Sequence, residues 1–532
     1  MNRQYRIGID FGTCFSFAVT CMSDNDLVVM RDKVNLEQSG VPSIFLQNSE
    51  DGSYVCGHKA SRLALKSEYY PDYIIEHVKQ HLLSESSSKE KYVTLPVNNF
   101  ELRRDTVSSR FVVAELIKEL VSIVSDELTR LDHFAAPVKE AVIAVPVSFS
   151  EQERSVILEG AQDAGLDVID MIVEPEAVAV DYILQHREIT KEPVLVYDLG
   201  GGTADVACVR RHSDKTYEVM GAAGARIGGR DWDKLLEEMV IEEYEKQHGK
   251  LEQYEEDKIV FSRDTIVKFK HKLCSLDDSE EETIAVPIID ERFKNVSRDP
   301  TSALSRNVTI KKADFVEKTK PLLIDTLKLV RSVARRCGLK TSPNGIYLVL
   351  SGGGSRMPAV ESGILKILEQ LDIKVINKHS VHYKHEEAIA RGAARIAYSA
   401  IVRKQTNCVY GVSLKGSKPN WIIDKGAALP VAPINHTLQT TNENEAEIIV
   451  YERIDSSAFV ARTRREGHVG QRNRVTGIKF KFGKKVKVGT NIKISLEIDK
   501  NGVLKLMALN PETDMPEYRS CVVSRVDRHI QR

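Results

Sequence analysis

The chain has 532 residues, of which 42% are hydrophobic and 28% charged, and its formal net charge is −1. This balance excludes a disordered or fibrous chain, and the length predicts three or four domain-sized units. A chain this close to neutrality does not favour nucleic acid as its main partner. The charge is unevenly spread, because residues 401–532 hold 23 Lys and Arg against 13 Asp and Glu. We therefore expect an acidic body and a separate basic C-terminal domain.

The 8 cysteines are scattered and include no Cys-x-x-Cys pair, so neither a zinc ribbon nor a thioredoxin motif is predicted. Scattered thiols in a chain of this size are typical of a reducing compartment. The N-terminus has no apolar run before its first strand, and no stretch approaches about 18 uninterrupted apolar residues. The sequence therefore predicts a cytoplasmic protein with no membrane partner.

Apolar patterning predicts an α/β arrangement over the first 400 residues. The predicted strands are Arg6–Asp10, Phe15–Met22, Leu27–Met30, Ala141–Val145, Val194–Tyr197 and Tyr347–Leu350. The predicted helices cover residues 110–130, Glu151–Ala164, most of 232–275 and His385–Ala400.

The pattern changes after residue 400, where apolar and polar residues alternate with period two. Ile478–Phe482 and Ile492–Ile498 alternate in this way, and Asn501-Gly502 between two such runs predicts a hairpin. The C-terminal quarter is therefore predicted to be antiparallel β-structure. Residues Val402–Val409 are polar and lack periodicity, which predicts a domain boundary there.

One strand–turn unit recurs along the chain. Ile7–Thr13 and Leu195–Thr203 each place Asp-x-Gly at the end of a buried strand and follow it with Thr, and Leu348–Ser355 is a third version without the Asp. Repeated units of this kind suggest two similar halves that face each other across a cleft. No Gly-x-x-x-x-Gly-Lys-Ser/Thr motif is present, so a P-loop protein is excluded.

The residue types in these turns predict phosphate binding. Glycines let successive backbone N–H groups approach phosphate oxygens, and Thr hydroxyls add donors without charge. A carboxylate beside a phosphate would repel it unless a divalent cation lies between them. The paired Asp10 and Asp198 therefore predict Mg²⁺, and the two loops together predict a clamp for a nucleoside triphosphate.

With these loops, the chain resembles the 70-kilodalton heat-shock (DnaK-type) chaperone family. The matching segments are Gly8–Thr13, Val41–Ser43, Ala144–Arg154, Val173–Pro175, Asp198–Asp205, Gly228-Gly229, Gly352–Arg356 and Glu387-Ala388. The resemblance implies an α/β, actin-like ATPase domain with two ribonuclease-H-like lobes over residues 1–400. It further implies a linker at 401–410 and an antiparallel β-sandwich resembling a peptide-binding domain at 411–532, here without the family's helical lid.

The resemblance also implies roles for individual residues. Asp10 and Asp198 would hold Mg²⁺, mostly through water, and Glu174 and Asp205 would help place the metal and water. The catalytic set would be Lys79, Glu174, Asp198 and Thr203. The nucleotide would be bound by Gly12, Thr13, Cys14, Phe15, Gly200, Gly201, Gly202, Thr203, Lys270, His271, Cys274, Gly352, Gly353, Gly354 and Arg356. Pro146 and Arg154 sit where the family couples this site to its linker. For Lys79 alone, a solvated surface lysine is an equally good interpretation.

The chain departs from the family pattern at several points. Cys14 replaces a Thr, and Val267 replaces a Glu that accepts hydrogen bonds from the ribose, which predicts weaker nucleotide binding. The family's acidic, Leu-rich linker is replaced by Arg403–Cys408. The first substrate-arch loop, near Ser413–Trp421, is shorter, whereas the second, near Thr440–Glu447, keeps its length.

The function implied is that of an ATP-dependent molecular chaperone in protein folding and the stress response. ATP or ADP with Mg²⁺ would control the binding of unfolded or client polypeptides, with a J-domain co-chaperone and a nucleotide-exchange factor as partners. One alternative is a nucleotide-binding co-chaperone or scaffold with little hydrolysis, which the altered linker and Val267 keep open. Another is a kinase of the actin-like superfamily, which the C-terminal β region argues against.

Overall fold

The computed structural model describes part of the chain. The described residues are 4–23, 26–29, 40–47, 54–64, 74–76, 78–82, 92–93, 107–133, 135–211, 217–249, 263–277, 279–286, 306–378, 381–383, 386–398, 402–406, 409–424, 427, 431–453, 472–498, 503–522 and 526–530. They form a mixed α/β structure with several sheets.

The strands alternate with helices over the first 400 residues, and the residues described after that point contain strands and no helix. The strands are β1 (Arg6–Asp10), β2 (Phe15–Ser23), β3 (Asp26–Val29), β4 (Val41–Pro42), β5 (Ile44–Gln47), β6 (Tyr54–Cys56), β7 (Ile74–Glu76), β8 (Tyr92–Val93), β9 (Val107–Ser108), β10 (Glu140–Val145), β11 (Asp167–Val173), β12 (Val194–Leu199), β13 (Ala204–Arg211), β14 (Tyr217–Ala225), β15 (Glu281–Val286), β16 (Arg306–Lys311), β17 (Tyr347–Ser351), β18 (Val402–Thr406), β19 (Val409–Leu414), β20 (Asn420–Ile423), β21 (Val431–Gln439), β22 (Glu445–Arg453), β23 (Arg472–Lys481), β24 (Asn491–Ile498), β25 (Val503–Leu509), β26 (Pro516–Val522) and β27 (Val526–Ile530).

Helices are present in each of the four segments predicted to be helical, and the described residues contain further helices that the periodicity did not predict. The helices are α1 (Gly57–Ala64), α2 (Val78–His81), α3 (Ser109–Leu131), α4 (Glu151–Asp163), α5 (Glu174–Gln185), α6 (Gly229–His248), α7 (Arg263–Ser275), α8 (Lys312–Arg336), α9 (Pro358–Gln370) and α10 (Ala388–Tyr398). Short 3₁₀ turns cover Leu339–Thr341 and Gly353–Arg356. None of the helices in the described ranges has the length and apolar character needed to cross a membrane.

The first large sheet has the strand order β11-β10-β1-β2-β3. Strands β11, β10 and β1 run parallel, and β2 returns antiparallel to β1. Helix α3 covers one face with the predicted apolar stripe, from Val113 to Leu128, and its stripe residues are buried. The parallel arrangement brings the carboxyl ends of β1, β10 and β11 to the same edge of the sheet.

The second large sheet has the order β17-β12-β13-β14-β27-β18. Strand β12 is parallel to β17 and antiparallel to β13. One face packs against helices α6, α7, α8 and α9, through residues such as Trp232, Phe269, Phe315 and Ile364. The predicted buried strands at 194–197 and 347–350 are thus confirmed as neighbours in one sheet.

Helices α5 and α10 pack against both large sheets. Their apolar residues share one cluster with Val142 and Ile172 of the first sheet and with Val196 and Val349 of the second. Helix α10 also lies directly on β1, because a β-carbon at Gly8 would collide with the backbone of Ala394. This shared packing holds the ends of the two sheets close together.

The C-terminal strands form two four-stranded antiparallel sheets, β20-β19-β22-β23 and β21-β24-β25-β26. Inward side chains from both sheets form one hydrophobic cluster, which includes Phe480, Leu496 and Leu506. The predicted alternation is confirmed, since Ile478 and Phe480 are buried on either side of the exposed Lys479. Strands β24 and β25 pair as the hairpin prediction requires. The turn residues Asn501-Gly502 lie outside the described residues.

The segment predicted as an irregular boundary contains a strand. Val402–Thr406 forms β18, which pairs antiparallel with β27, with Val402 opposite Ile530. Strand β27 in turn contacts β14 at the pair Tyr217 and Arg528. Periodicity did not predict β18 because ladder pairing uses backbone groups and does not require alternating apolar side chains. The partner strand β27 lies beyond Val523, where no strand was predicted.

Candidate functional site

Four carboxylates meet where the two large sheets approach each other. Asp10 ends β1, Glu174 begins α5 directly after β11, Asp198 lies near the end of β12 and Asp205 near the start of β13. All four are buried, with exposed fractions of 6%, 4%, 3% and 1% in that order. The strand ends position them, because parallel strands in each sheet end at the same edge.

Lys79 is the cation among these carboxylates. It lies on helix α2, is 4% exposed, and forms an ion pair with Glu174. Its ammonium also lies 5.7 Å from the centre of the Phe149 ring. The interpretation of Lys79 as a solvated surface residue is therefore wrong.

Burial and mutual repulsion raise the pKa values of Asp10, Asp198 and Asp205. Burial, together with the charges of Glu174 and Asp205, raises the pKa of Asp198 to about 8. Burial and the charge of Glu174 raise the pKa of Asp205 to about 7 and that of Asp10 well above its ordinary value. Burial alone would lower the pKa of Lys79, but Glu174 and Asp10 outweigh it and the pKa is raised. A site built in this way favours an added cation.

The donor set fits a hydrated Mg²⁺. Asp198 Oδ1 and Asp205 Oδ2 are buried, and neither oxygen has a hydrogen-bond partner among the described residues. Across the same ranges, no three His, Cys, Asp or Glu side chains are spaced to ligate a metal directly. Mg²⁺ commonly keeps several waters and uses one or two carboxylates, so this arrangement suits it.

The two glycine-containing loops face each other beside these carboxylates. A β-carbon at Gly201 would lie 2.9 Å from Cys14 Sγ and 3.6 Å from Thr13 Cβ. Thr13 and Thr203, the hydroxyl residues of the two loops, are both buried. The predicted pairing of the loops across a cleft is therefore present in the structure.

The first loop is held by two serines that the site prediction did not include. Ser43 Oγ donates to the carbonyl of Gly12 over 2.8 Å, and its backbone N–H donates to the carbonyl of Cys14 over 2.9 Å. Ser16 Oγ accepts from the Gly12 N–H over 3.2 Å and lies 2.9 Å from Ser43 Oγ. The segment Val41–Ser43 carried part of the family resemblance, so Ser43 could have been found from it.

The second loop is held by the N-terminus of α6. The N–H of Gly229 donates to the carbonyl of Gly200 over 2.9 Å, and the N–H of Arg230 donates to that of Gly201 over 3.0 Å. A β-carbon at Gly228 would lie 2.5 Å from the carbonyl carbon of Gly201. Gly202, the next loop residue, is buried. The first-turn N–H groups of α6 are therefore used to fix the backbone of this loop.

The third loop closes over Asp198. Gly352 has φ +80°, and a β-carbon there would lie 2.6 Å from Asp198 Oδ1. A β-carbon at Gly354 would lie 2.7 Å from Leu199 Cγ, whereas Gly353 has open space around it. Position 352 therefore needs glycine, both because its φ is positive and because its backbone closely approaches the Asp198 carboxylate.

Helix α7 presents the residues predicted to contact the nucleoside. Lys270 is buried, and its ammonium lies 2.7 Å from Asp233 Oδ1 and donates to the carbonyl of Gly229 over 3.1 Å. Burial and the neighbouring Lys270 charge lower the pKa of His271, and burial raises the pKa of Cys274. Asp233 was not predicted, although it lies only three residues after Arg230 in the glycine-containing segment.

Two predicted nucleotide-binding residues lie toward the surface. Arg356 is exposed, and its guanidinium lies 3.4 Å from Glu386. Phe15 begins β2 and is 40% exposed. Neither is placed among the buried carboxylates.

The loop after β10 connects the first sheet to Asp205. The backbone N–H of Val147 donates to Asp205 Oδ1 over 2.9 Å. Arg154 Nη2 donates to the carbonyl of Pro146, and its Nε to that of Phe149, each over 3.4 Å. The backbone of Val147 thus contacts Asp205 directly, and the carbonyl of Pro146, the preceding residue, accepts a hydrogen bond from Arg154.

Taken together, a mixed α/β fold and a buried acidic cleft between paired glycine loops form an arrangement that could accept a cation and a phosphorylated ligand. The family model described as "Hsp70 protein" matches residues 6–521. The chain therefore belongs to the Hsp70 family, which confirms the resemblance noted in its sequence.

Named relatives match along nearly the whole chain. "Chaperone protein DnaK" of Mycoplasmopsis agalactiae is 26% identical over 521 residues, covering 97% of this chain and 78% of that protein. The protein of the same name from Mycoplasmoides gallisepticum is 28% identical over 528 residues, covering 95% and 78%. "Chaperone protein dnaK" of Cyanophora paradoxa is 24% identical over 518 residues, with the same coverage of 95% and 78%.

Proposed function

We propose that this chain is an ATP-dependent molecular chaperone of the Hsp70 type. Family membership and the names of its relatives support this function. The single structural observation that carries it is the cluster of four buried carboxylates and Lys79 between the glycine loops. We further propose that residues 1–400 adopt the actin-like arrangement of two ribonuclease-H-like lobes and that residues 411–532 form a β-sandwich.

The proposed nucleotide lies along the three loops. Backbone N–H groups of Thr13, Cys14, Gly201 and Gly202 and the hydroxyls of Thr13 and Thr203 would hold its phosphates. Gly12 and Gly200, whose own N–H groups donate to Ser16 and Thr203, would let the backbone approach them, and Gly352–Gly354 would approach its sugar. Lys270, fixed by Asp233, would meet the nucleoside from helix α7. The unpartnered oxygens of Asp198 and Asp205 support a cation at this position, with Asp10 opposite.

The proposed chemistry is phosphoryl transfer to water. Mg²⁺, when bound, would neutralise negative charge on the phosphate oxygens. Thr203, Lys79 and Glu174 would orient the attacking water, since the ion pair of Lys79 and Glu174 fixes both side chains next to Asp10 and Asp205. Catalysis of this kind depends on positioning and electrostatics rather than on covalent intermediates.

The proposed output is a change in the hold on client polypeptides. The hydrogen bond from Val147 to Asp205 gives the nucleotide site a direct contact with the Pro146–Arg154 segment. Nucleotide state would pass through this segment to the C-terminal sheets, which we propose bind unfolded polypeptide. A J-domain co-chaperone and a nucleotide-exchange factor are the proposed partners, and the cytoplasm the proposed location.

Single-turnover ATP hydrolysis, measured with and without an unfolded peptide, tests this function. We expect release of inorganic phosphate that requires Mg²⁺ and that peptide accelerates several-fold. Transfer of phosphate to a small molecule would instead identify a kinase. Absence of turnover with intact ATP binding would identify a scaffold.

The scaffold is retained as a second candidate because of helix α7. Val267 lies on this helix three residues before Lys270, where the family's Glu would accept hydrogen bonds from the ribose. Loss of that acceptor favours weaker nucleotide binding. Slow or absent hydrolysis would follow if the nucleotide is held less firmly against Lys79.

A further inference from the structure

Two thiols lie together on the face of the second large sheet that packs against α8. Cys208 is in β13 and is fully buried. Cys337 follows the last residue of α8 as its C-terminal cap and is partly exposed. Both are free thiols, and neither belongs to the proposed nucleotide site.

A glycine makes room for this approach. The register of β13 and β14 places Gly221 directly opposite Cys208. A β-carbon at Gly221 would lie 2.9 Å from Cys337 Sγ, so the Cys337 sulfur occupies space that any larger residue would fill. Because opposed residues in adjacent strands have β-carbons about 4.5–5.5 Å apart, the Cys337 sulfur lies next to Cys208.

The two thiols interact directly. A hydrogen bond between them is the largest cause that raises the pKa of the Cys208 thiol well above its ordinary value, and burial is the second. Cys208 therefore stays protonated and unreactive toward an oxidant in solution. Cys337, which reaches the surface, is the thiol that an oxidant meets first.

We propose that Cys208 and Cys337 form a reversible disulfide when the protein meets a hydroperoxide. The Cys337 thiolate attacks the peroxide oxygen, which gives a Cys337 sulfenic acid and releases hydroxide from hydrogen peroxide. The Cys208 sulfur then attacks the Cys337 sulfur; its proton and the sulfenic hydroxyl leave as water. The two cysteines lose two electrons, the peroxide gains them, and a dithiol reductant reverses the change.

The cross-link would join elements that are far apart in the sequence. Strand β13 begins directly after Thr203 and carries Asp205, and the link would fix its middle to the end of α8. A bond that closes a long loop restricts the unfolded chain and stabilises the fold. The oxidised protein should therefore melt at a higher temperature than the reduced protein.

The test treats the full chain with hydrogen peroxide, alkylates the remaining thiols and maps the peptides by mass spectrometry. We expect a linked pair of Cys208 and Cys337 peptides, lighter by two hydrogen atoms and separated by dithiothreitol. The melting temperature should rise by at least about 2 °C on oxidation and return on reduction. Cys337→Ser should abolish both effects, and the control Cys56→Ser, at another partly buried thiol, should keep them.

The mapping of the unaltered chain decides the proposal even if a variant fails to fold. Cys337 found as a sulfinic acid, or linked to a different cysteine while Cys208 stays reduced, would overturn it. Gly221→Ala provides a second check, because its methyl group would displace the Cys337 sulfur while leaving both thiols in place. We expect linkage to be several-fold slower in this variant, and an unchanged rate would contradict the geometry proposed.

Discussion

Lys79 and Glu174 form an ion pair that is almost completely removed from solvent, with side chains 5% and 6% exposed. The pair joins helix α2 to the first residue of α5, two elements distant in sequence. Replacing one partner of such a pair leaves an uncompensated buried charge. The pair therefore matters for stability and for the proposed positioning of water.

Lys79→Ala should lower both stability and ATP turnover. We expect a loss of about 3–5 kcal/mol in the free energy of unfolding, because Glu174 would remain buried near Asp10 and Asp205 without its cation. The double variant Lys79→Met with Glu174→Gln should recover most of the stability but none of the turnover. Urea denaturation and single-turnover hydrolysis measure the two effects. Recovery of turnover in the double variant would contradict the proposed role of this pair.

Asp10→Asn and Asp198→Asn should each lose Mg²⁺-dependent ATP hydrolysis while preserving the fold. An amide keeps the shape of the side chain and loses its negative charge, and burial already disfavours that charge in the ligand-free protein. We expect turnover to fall at least about a hundredfold, as for loss of one preorganised electrostatic contact. Normal Mg²⁺-dependent turnover in both variants would remove the metal assignment, and circular dichroism checks the fold.

The sequence predicted Asp10 and Asp198 because repeated Asp-x-Gly turns follow apolar strands, whereas Glu174 and Asp205 were implied only by the family resemblance. It did not predict Ser16, Ser43 or Asp233. The contacts of Ser43 with the first loop and of Asp233 with Lys270 join segments that are distant in the sequence, and Ser16 contacts Gly12 through a local turn that carries no distinctive motif. Lys79 remained ambiguous because the residues that flank it match the family pattern poorly and only tertiary contacts bury it. The strand Val402–Thr406 was missed for a similar reason. Its partner is β27, which lies more than a hundred residues later in the sequence, after the strands of the two C-terminal sheets.

Val267→Glu should tighten ADP binding about tenfold. It adds an acceptor on the helix that carries Lys270 and His271, and one hydrogen bond to a charged group is worth about 1.5–3 kcal/mol. Lys268→Gln is a matched control, because it lowers the net charge by the same unit at an exposed neighbouring position. Calorimetry measures both. Equal affinity in the unaltered protein and Val267→Glu would argue against a ribose near this position.

Cys56 should resist alkylation at mildly alkaline pH. Burial, with the charges of Glu119 and Glu115, raises the pKa of its thiol to about 12 from an ordinary value of 9.0. Three pKa units reduce the thiolate fraction about a thousandfold near pH 8, and the thiolate is the reactive form. Iodoacetamide labelling followed by peptide mapping measures the rate, with the urea-unfolded chain as the fast reference. Labelling of Cys56 in the folded protein at the unfolded rate would contradict this expectation.

Asp181 joins helix α5 to helix α10 inside the core. It is fully buried and accepts hydrogen bonds from Arg395 Nε over 2.6 Å, Arg391 Nε over 3.0 Å and Tyr383 Oη over 2.6 Å. Helix α5 begins at Glu174, so this contact also helps to hold a site residue in place.

Asp181→Asn should destabilise the protein by about 3–5 kcal/mol, because both guanidinium groups lose their buried counter-charge. Asp325→Asn is the control: its partner Lys328 is exposed on α8, and a surface pair of this kind contributes about 0–1 kcal/mol.

Because α5 carries Glu174, we also expect Asp181→Asn to lower ATP turnover under conditions where the variant is still folded, whereas Asp325→Asn should leave turnover unchanged. Urea unfolding and single-turnover hydrolysis would separate these effects. Equal unfolding midpoints for the two variants would show that the buried cluster adds no more stability than a surface pair, and normal turnover in Asp181→Asn would show that Glu174 is positioned without it.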